Sequence, residues 1–153
     1  MENVNKEALQ NDKFTDFYAW TQKTSQLLLD GNYHQVDMQM VVEEIKAMGA
    51  SERRELINRL AVLIMHLLKW QYQSGLRSRS WKLTIVEQRQ EIQELLEDSP
   101  SLNAKLCEKF PLAYNKAILK TEKETNLPRK TFPQNCPYTL EQVLDEQFYP
   151  TDY

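Results

Sequence analysis

Apolar side chains are densest over residues 56–72, LINRLAVLIMHLLKWQY, where twelve of seventeen positions are apolar or aromatic. On a helical wheel the polar positions gather in one arc. Asn58, Lys69, Glu55, Gln73, His66 and Arg59 fall within roughly 100°, with Val62 among them. The rest of the circumference is Leu, Ile, Met and Tyr. A surface helix needs one apolar stripe, so a helix apolar around most of its girth should be enclosed by neighbours. The run has no period of two and is too long for a strand. It falls short of ~20 residues and carries Arg59, His66 and Lys69, so it does not read as a membrane span.

The same pattern predicts further helices. Residues 1–13 are polar and read as a flexible tail. A first helix is expected over 14–30, capped by Asp12 and stopped by Gly31, with Phe14, Phe17, Tyr18, Thr21, Leu28 and Leu29 on one face. Asp37 should cap a second helix over 38–48 that ends at Gly49 and turns Val41, Val42, Ile45 and Met48 inward. Ser51 then caps the central helix. After the break QSGLRSRS, Ser80 should cap a helix over 81–97 lined by Trp81, Ile85, Ile92, Leu95 and Leu96. Leu83 lies opposite that stripe and implies a second contact.

Ser99 and Pro100 signal the next helix start, and Pro111 should kink or split that helix. Its pattern resumes to about residue 126. Thr139 with Gln142 makes a capping box for a short helix over 140–146, with Tyr138 and Val143 as its hydrophobic staple. The reading is all-α: one helical-bundle domain over 14–150 with a buried central helix.

At 153 residues, 41% hydrophobic and 27% charged, the composition is that of a globular domain with a real core. Three glycines disfavour an all-β fold with many tight turns. The N-terminus shows no apolar stretch of a secretory signal, and Cys107 and Cys136 have no metal or redox spacing. Reduced thiols in a cytoplasmic protein are the simplest expectation. The net charge of −3 is uneven: residues 1–50 carry −4, residues 51–90 carry +5 and residues 91–153 carry −4. The basic middle is either neutralised by the acidic outer helices or offered to an anionic partner.

Several blocks together resemble a known family: DFYAW at 16–20, EEIKAMG at 43–49, SERRELINRL at 51–60, MHLLKWQYQ at 65–73, RSRSW at 77–81, EQR at 87–89, LLEDSPSL at 95–102 and CPYTLEQVLDEQFYP at 136–150. On these the chain is identified as a member of domain-of-unknown-function family 29, bacterial proteins abundant in cyanobacteria. The resemblance spans about residues 14–150. It implies an α-helical bundle, uninterrupted at Pro111, and brings no activity, substrate, cofactor or functional residue.

The chemistry the residues themselves offer is sparse. Neither His34 nor His66 follows a Glu three positions earlier, so the helical-bundle dimetal motif is missing and no metal or cofactor is implied. There is no G-x-S-x-G, no Gly-rich phosphate loop and no S-x-x-K, so catalytic residues are not assigned. Arg77, Arg79, Lys82 and Arg89 surround Trp81, a pattern that could hold an anion or nucleic acid, although a pI near 5.5 opposes general nucleic-acid binding. Aromatic and Arg side chains at a boundary suit protein contact. The leading reading is a non-catalytic helical protein that binds a protein partner or itself, with anion or nucleic-acid binding through residues 77–89 and an enzyme of unrecognised type as the alternatives. His66, Trp70, Arg77, Arg79, Trp81, Lys82 and Arg89 form its candidate contact surface.

Overall fold

The computed structural model describes residues 5–152 and is all-α. Six helices follow one another: α1 (Lys6–Thr15), α2 (Phe17–Leu29), α3 (Met38–Tyr72), α4 (Arg79–Asp98), α5 (Asn103–Thr125) and α6 (Leu140–Leu144). No strand occurs among the described residues. The chain divides into two compact units, Met1–Ala50 and Ser51–Tyr153.

The first unit starts with a helix in place of the expected tail. Asn5 accepts the Glu7 N–H at 3.0 Å and caps α1. Residues 1–4 of the expected tail lie outside the described residues. Asp16, not Asp12, is the turning point: it ends α1 and its carboxylate takes the Ala19 N–H at 3.0 Å to start α2. Gly31 closes α2 at φ 76°, a conformation that favours glycine. The core of this unit is small. Leu9, Trp20, Leu27 and Val36 are buried, with Leu28, Met40 and Val41 packed against them. Lys13 sits 5.5 Å from the Trp20 ring centre and pairs with Glu44 at 3.3 Å and Glu43 at 3.6 Å. Those two glutamates therefore serve a cation of their own unit.

Asp37 caps α3 as expected, accepting the Gln39 N–H at 3.1 Å. The helix does not end at Gly49. It runs unbroken to Tyr72, so Ser51 caps nothing. A glycine inside a helix costs about 1 kcal/mol relative to Ala. Breaking the helix there would leave orphan carbonyls and amides on both sides, a larger penalty.

In the second unit, residues 56–68 of α3 form the spine of the core. Leu63, Ile64, Leu67 and Leu68 have no exposed surface, and Ile85, Ile92, Leu106, Ala113, Tyr114, Ala117 and Ile118 pack around them. The polar arc falls where the wheel sets it: Glu55 and Asn58 are exposed, and Arg59, Val62 and His66 are half-buried. Lys69 departs from that arc and is buried. Arg59 bonds Glu55 at 3.0 Å, the expected i,i+4 pair, and also reaches Glu91 at 3.3 Å.

Three boundaries differ from expectation. Ser78, not Ser80, caps α4, its hydroxyl accepting the Trp81 N–H at 3.2 Å. Pro100 opens a 3-10 turn, so α5 begins at Asn103 and Ser99 makes no side-chain cap. Pro111 does not split α5. It costs one backbone hydrogen bond on an exposed position, and Ala113, Tyr114, Ala117 and Ile118 hold the following turns in the core. The capping box of α6 is formed as read, the Gln142 N–H meeting Thr139 Oγ1 at 3.1 Å and the Thr139 N–H meeting Gln142 Oε1 at 3.0 Å.

Candidate contact surface

Six of the seven residues singled out from sequence fall into three groups, and His66 stands apart. The first is tied up within the second unit. Trp70 packs against Tyr149 with ring centres 5.0 Å apart, and the Arg77 guanidinium lies 4.8 Å from the Trp70 ring. Arg77 also donates to the Trp70 carbonyl at 2.8 Å and pairs with Asp152. Trp81 is covered by the Lys69 ammonium at 4.5 Å, and that ammonium is fixed by Glu124 at 2.7 Å. These contacts join positions up to 75 residues apart.

Arg89 is the second group. It is 4% exposed and has no ion pair with a carboxylate among the described residues. Its Nε–H donates to the Val143 carbonyl at 2.9 Å and its Nη2–H to the Phe148 carbonyl at 2.8 Å, and Tyr149 lies 5.5 Å away. Burial pulls the guanidinium below its ordinary pKa, against the opposing pull of Tyr149, Asp145 and Glu146. Arg89 is therefore a buried clamp on the segment after α6. With Glu146 it lines two clefts of about 330 and 340 Å3, where its Nε–H and one Nη2–H already serve backbone carbonyls and Glu146 offsets its charge.

His66 is half-buried. Its Nδ1–H donates to the Val62 carbonyl at 2.9 Å, and burial pushes its pKa down, with Lys69 adding to the effect. Among the described residues no group of three or more His, Cys, Asp or Glu side chains comes together to hold a metal. Burial raises the Cys136 thiol to about 11, while Cys107 is exposed and both are free.

Arg79 and Lys82 form the third group. Both are exposed and neither has an ion pair among the described residues. Arg79 lines a shallow trough on α4 with Leu83 and Val86, 54% and 37% exposed, and Lys82 lies on a neighbouring cleft. This is the outer side of α4 implied by the position of Leu83.

The largest wet apolar surface lies elsewhere, on the first unit. Nine large apolar side chains between Phe14 and Met48 are exposed, against four buried in that unit's core. On α3 they include Val42, Ile45 and Met48, which the sequence pattern turns inward. Ile45 is 62% exposed and Met48 68%. The amphipathic period was there to be read. It carries no information on whether anything covers the stripe.

The family model for domain of unknown function DUF29 matches residues 14–149, nearly the whole chain. No curated protein and no solved structure matches.

Proposed function

The chain belongs to the DUF29 family, and on that premise we propose that it is a non-catalytic helical protein that works by protein–protein contact. One observation carries the reading: the unit within residues 1–50 exposes nine large apolar side chains and buries four. Large apolar side chains left in water mark a binding surface, and a core that small supports little stability alone. A partner seated on Phe14, Tyr18, Met38, Val42 and Ile45 supplies the missing half of the core.

Anion or nucleic-acid binding through residues 77–89 is less well supported. Arg77 is paired with Asp152 and Arg89 is buried, which leaves Arg79 and Lys82 as its free cations. No helix among the described residues is long and apolar enough to cross a membrane. Free thiols at Cys107 and Cys136 support a reducing compartment, the cytoplasm of a bacterial cell.

The test is a photo-crosslinking residue placed at Ile45 in the native cell, with Gln26, polar and exposed on α2, as the control position. Defined crosslinked products from position 45 and none from position 26 are expected. The absence of any product from positions 14, 42 and 45 would sink the reading.

A further inference from the structure

We propose that the partner is a second copy of this chain, and that the stripe Met38, Val42, Ile45 and Gly49 on α3 lies antiparallel along Arg79, Leu83, Val86 and Gln90 on α4 of that copy. The proposal rests on the binding-face reading above and names its occupant. The pairing takes one helix from each copy.

Both stripes are wet and share one geometry. Positions 38, 42, 45 and 49 follow each other by four, three and four residues, as do 79, 83, 86 and 90. That spacing holds each set within about 60° of arc, the seam of helices packing knobs into holes. Met38, Val42 and Ile45 are exposed on the first, Leu83 and Val86 on the second. Laid antiparallel, Ile45 meets Leu83 and Val42 meets Val86. Gly49, around whose missing Cβ there is no atom within 4 Å, then faces Arg79, the longest side chain of the α4 stripe. A glycine in a seam lets a large neighbour in.

Charge selects both the partner and the direction. α4 opens with Arg79 and Lys82 and has no acidic residue in its first turn. Two cations at the positive end of a helix dipole are unfavourable without an anionic neighbour. Glu52 is exposed and is the next position on the α3 stripe after Gly49. In the antiparallel arrangement it sits beside Arg79. Parallel laying sets Glu52 beside Gln93 and Glu94 and leaves both cations bare. One chain thus carries both halves of the contact.

Sedimentation of the full chain over a wide concentration range tests this. The mass should rise from that of one chain to twice it or more. Ile45→Glu and Leu83→Glu change exposed positions, so helical circular dichroism should be retained while association weakens by about a hundredfold. Arg79→Glu and Glu52→Arg should each weaken self-association by about tenfold, and an equimolar mixture of the two should recover it, since every contact in the mixed pair is again opposite in sign. Arg79→Glu also favours α4 itself, so its effect cannot come from unfolding.

A single species of one-chain mass at the highest concentration overturns the proposal, as does association indifferent to Leu83→Glu or a mixture that fails to recover. A chain that stays monomeric while position 45 still crosslinks to a different protein overturns the second-copy assignment and leaves the binding-face reading standing. Failure of both experiments removes both.

Discussion

Replacing Arg89 with Met sets two effects of similar size against each other. The guanidinium makes two good bonds, to the carbonyls of Val143 at 2.9 Å and Phe148 at 2.8 Å. A third, to Glu146 at 3.5 Å, is too long to count. Bonds from a charged donor contribute about 1.5–3 kcal/mol each, so the gross loss is about 3–6 kcal/mol. Against this, a buried cation with no carboxylate partner is itself costly, and Met removes that cost while keeping much of the side-chain volume. The deciding factor is the carbonyls. If they stay buried without a donor, each costs about 1–3 kcal/mol. If the segment lifts to hydrate them, Val143, which has no exposed surface, gives up about 2 kcal/mol of burial. The chain takes the cheaper route, a net loss of about 2 kcal/mol. For a chain of this size that lowers Tm by roughly 4–8 °C. Thermal unfolding should be followed through a second-unit signal such as Trp70, because the two units need not melt together. Hydrogen exchange at residues 143–149 reports whether the segment has lifted. An Arg89→Met variant as stable as the parent, with unchanged protection there, would show that desolvation cancels the bonds and that the clamp contributes nothing.

Gly49→Ala should stabilise the first unit by about 0.5–1 kcal/mol in urea, because the helix is continuous there and an added methyl meets nothing within 4 Å. A loss of stability would show that the chain breaks at Gly49. Iodoacetamide at pH 8 should label exposed Cys107 and spare Cys136, whose thiol burial raises to about 11; equal labelling of the two refutes that burial. His66 has a folded pKa below its ordinary 6.5, so the unfolded chain takes up its proton first as pH falls. Stability is then fully present above that value and declines as pH drops through 6.5 toward the lowered folded value. The urea midpoint should be higher at pH 7.5 than at 5, and His66→Gln should reduce the difference. An unchanged difference would place the titration elsewhere.

How far the sequence could be read depends on how local each cause is. The spine of the second unit was legible because a period of 3.6 sorts residues by side, and its polar arc predicts which side is wet. Lys69 breaks that rule for a reason no period can hold: its partners are Glu124, 55 residues on, and Trp81 in the next helix. Arg77 and Arg89 were marked as contact residues on type and proximity to Trp81, yet they bind carboxylate and carbonyl groups contributed by residues 143–152. Helix α1 was missed because Leu9 is its sole buried residue, which leaves no stripe to detect. The stripe over residues 38–48 shows the opposite case. Its period was read correctly and its side assigned to a core, yet Val42, Ile45 and Met48 are wet. One helix, α3, thus runs the same kind of apolar pattern through two settings. From residue 56 onward the chain's own helices enclose it, and over its first three turns no such enclosure forms. An amphipathic period states what a surface is fit to bury, and only the surrounding structure decides whether that capacity is used. On α3 the unused capacity is confined to the first unit, which is why a binding partner, and not a catalytic cleft, is the functional reading that its residues support.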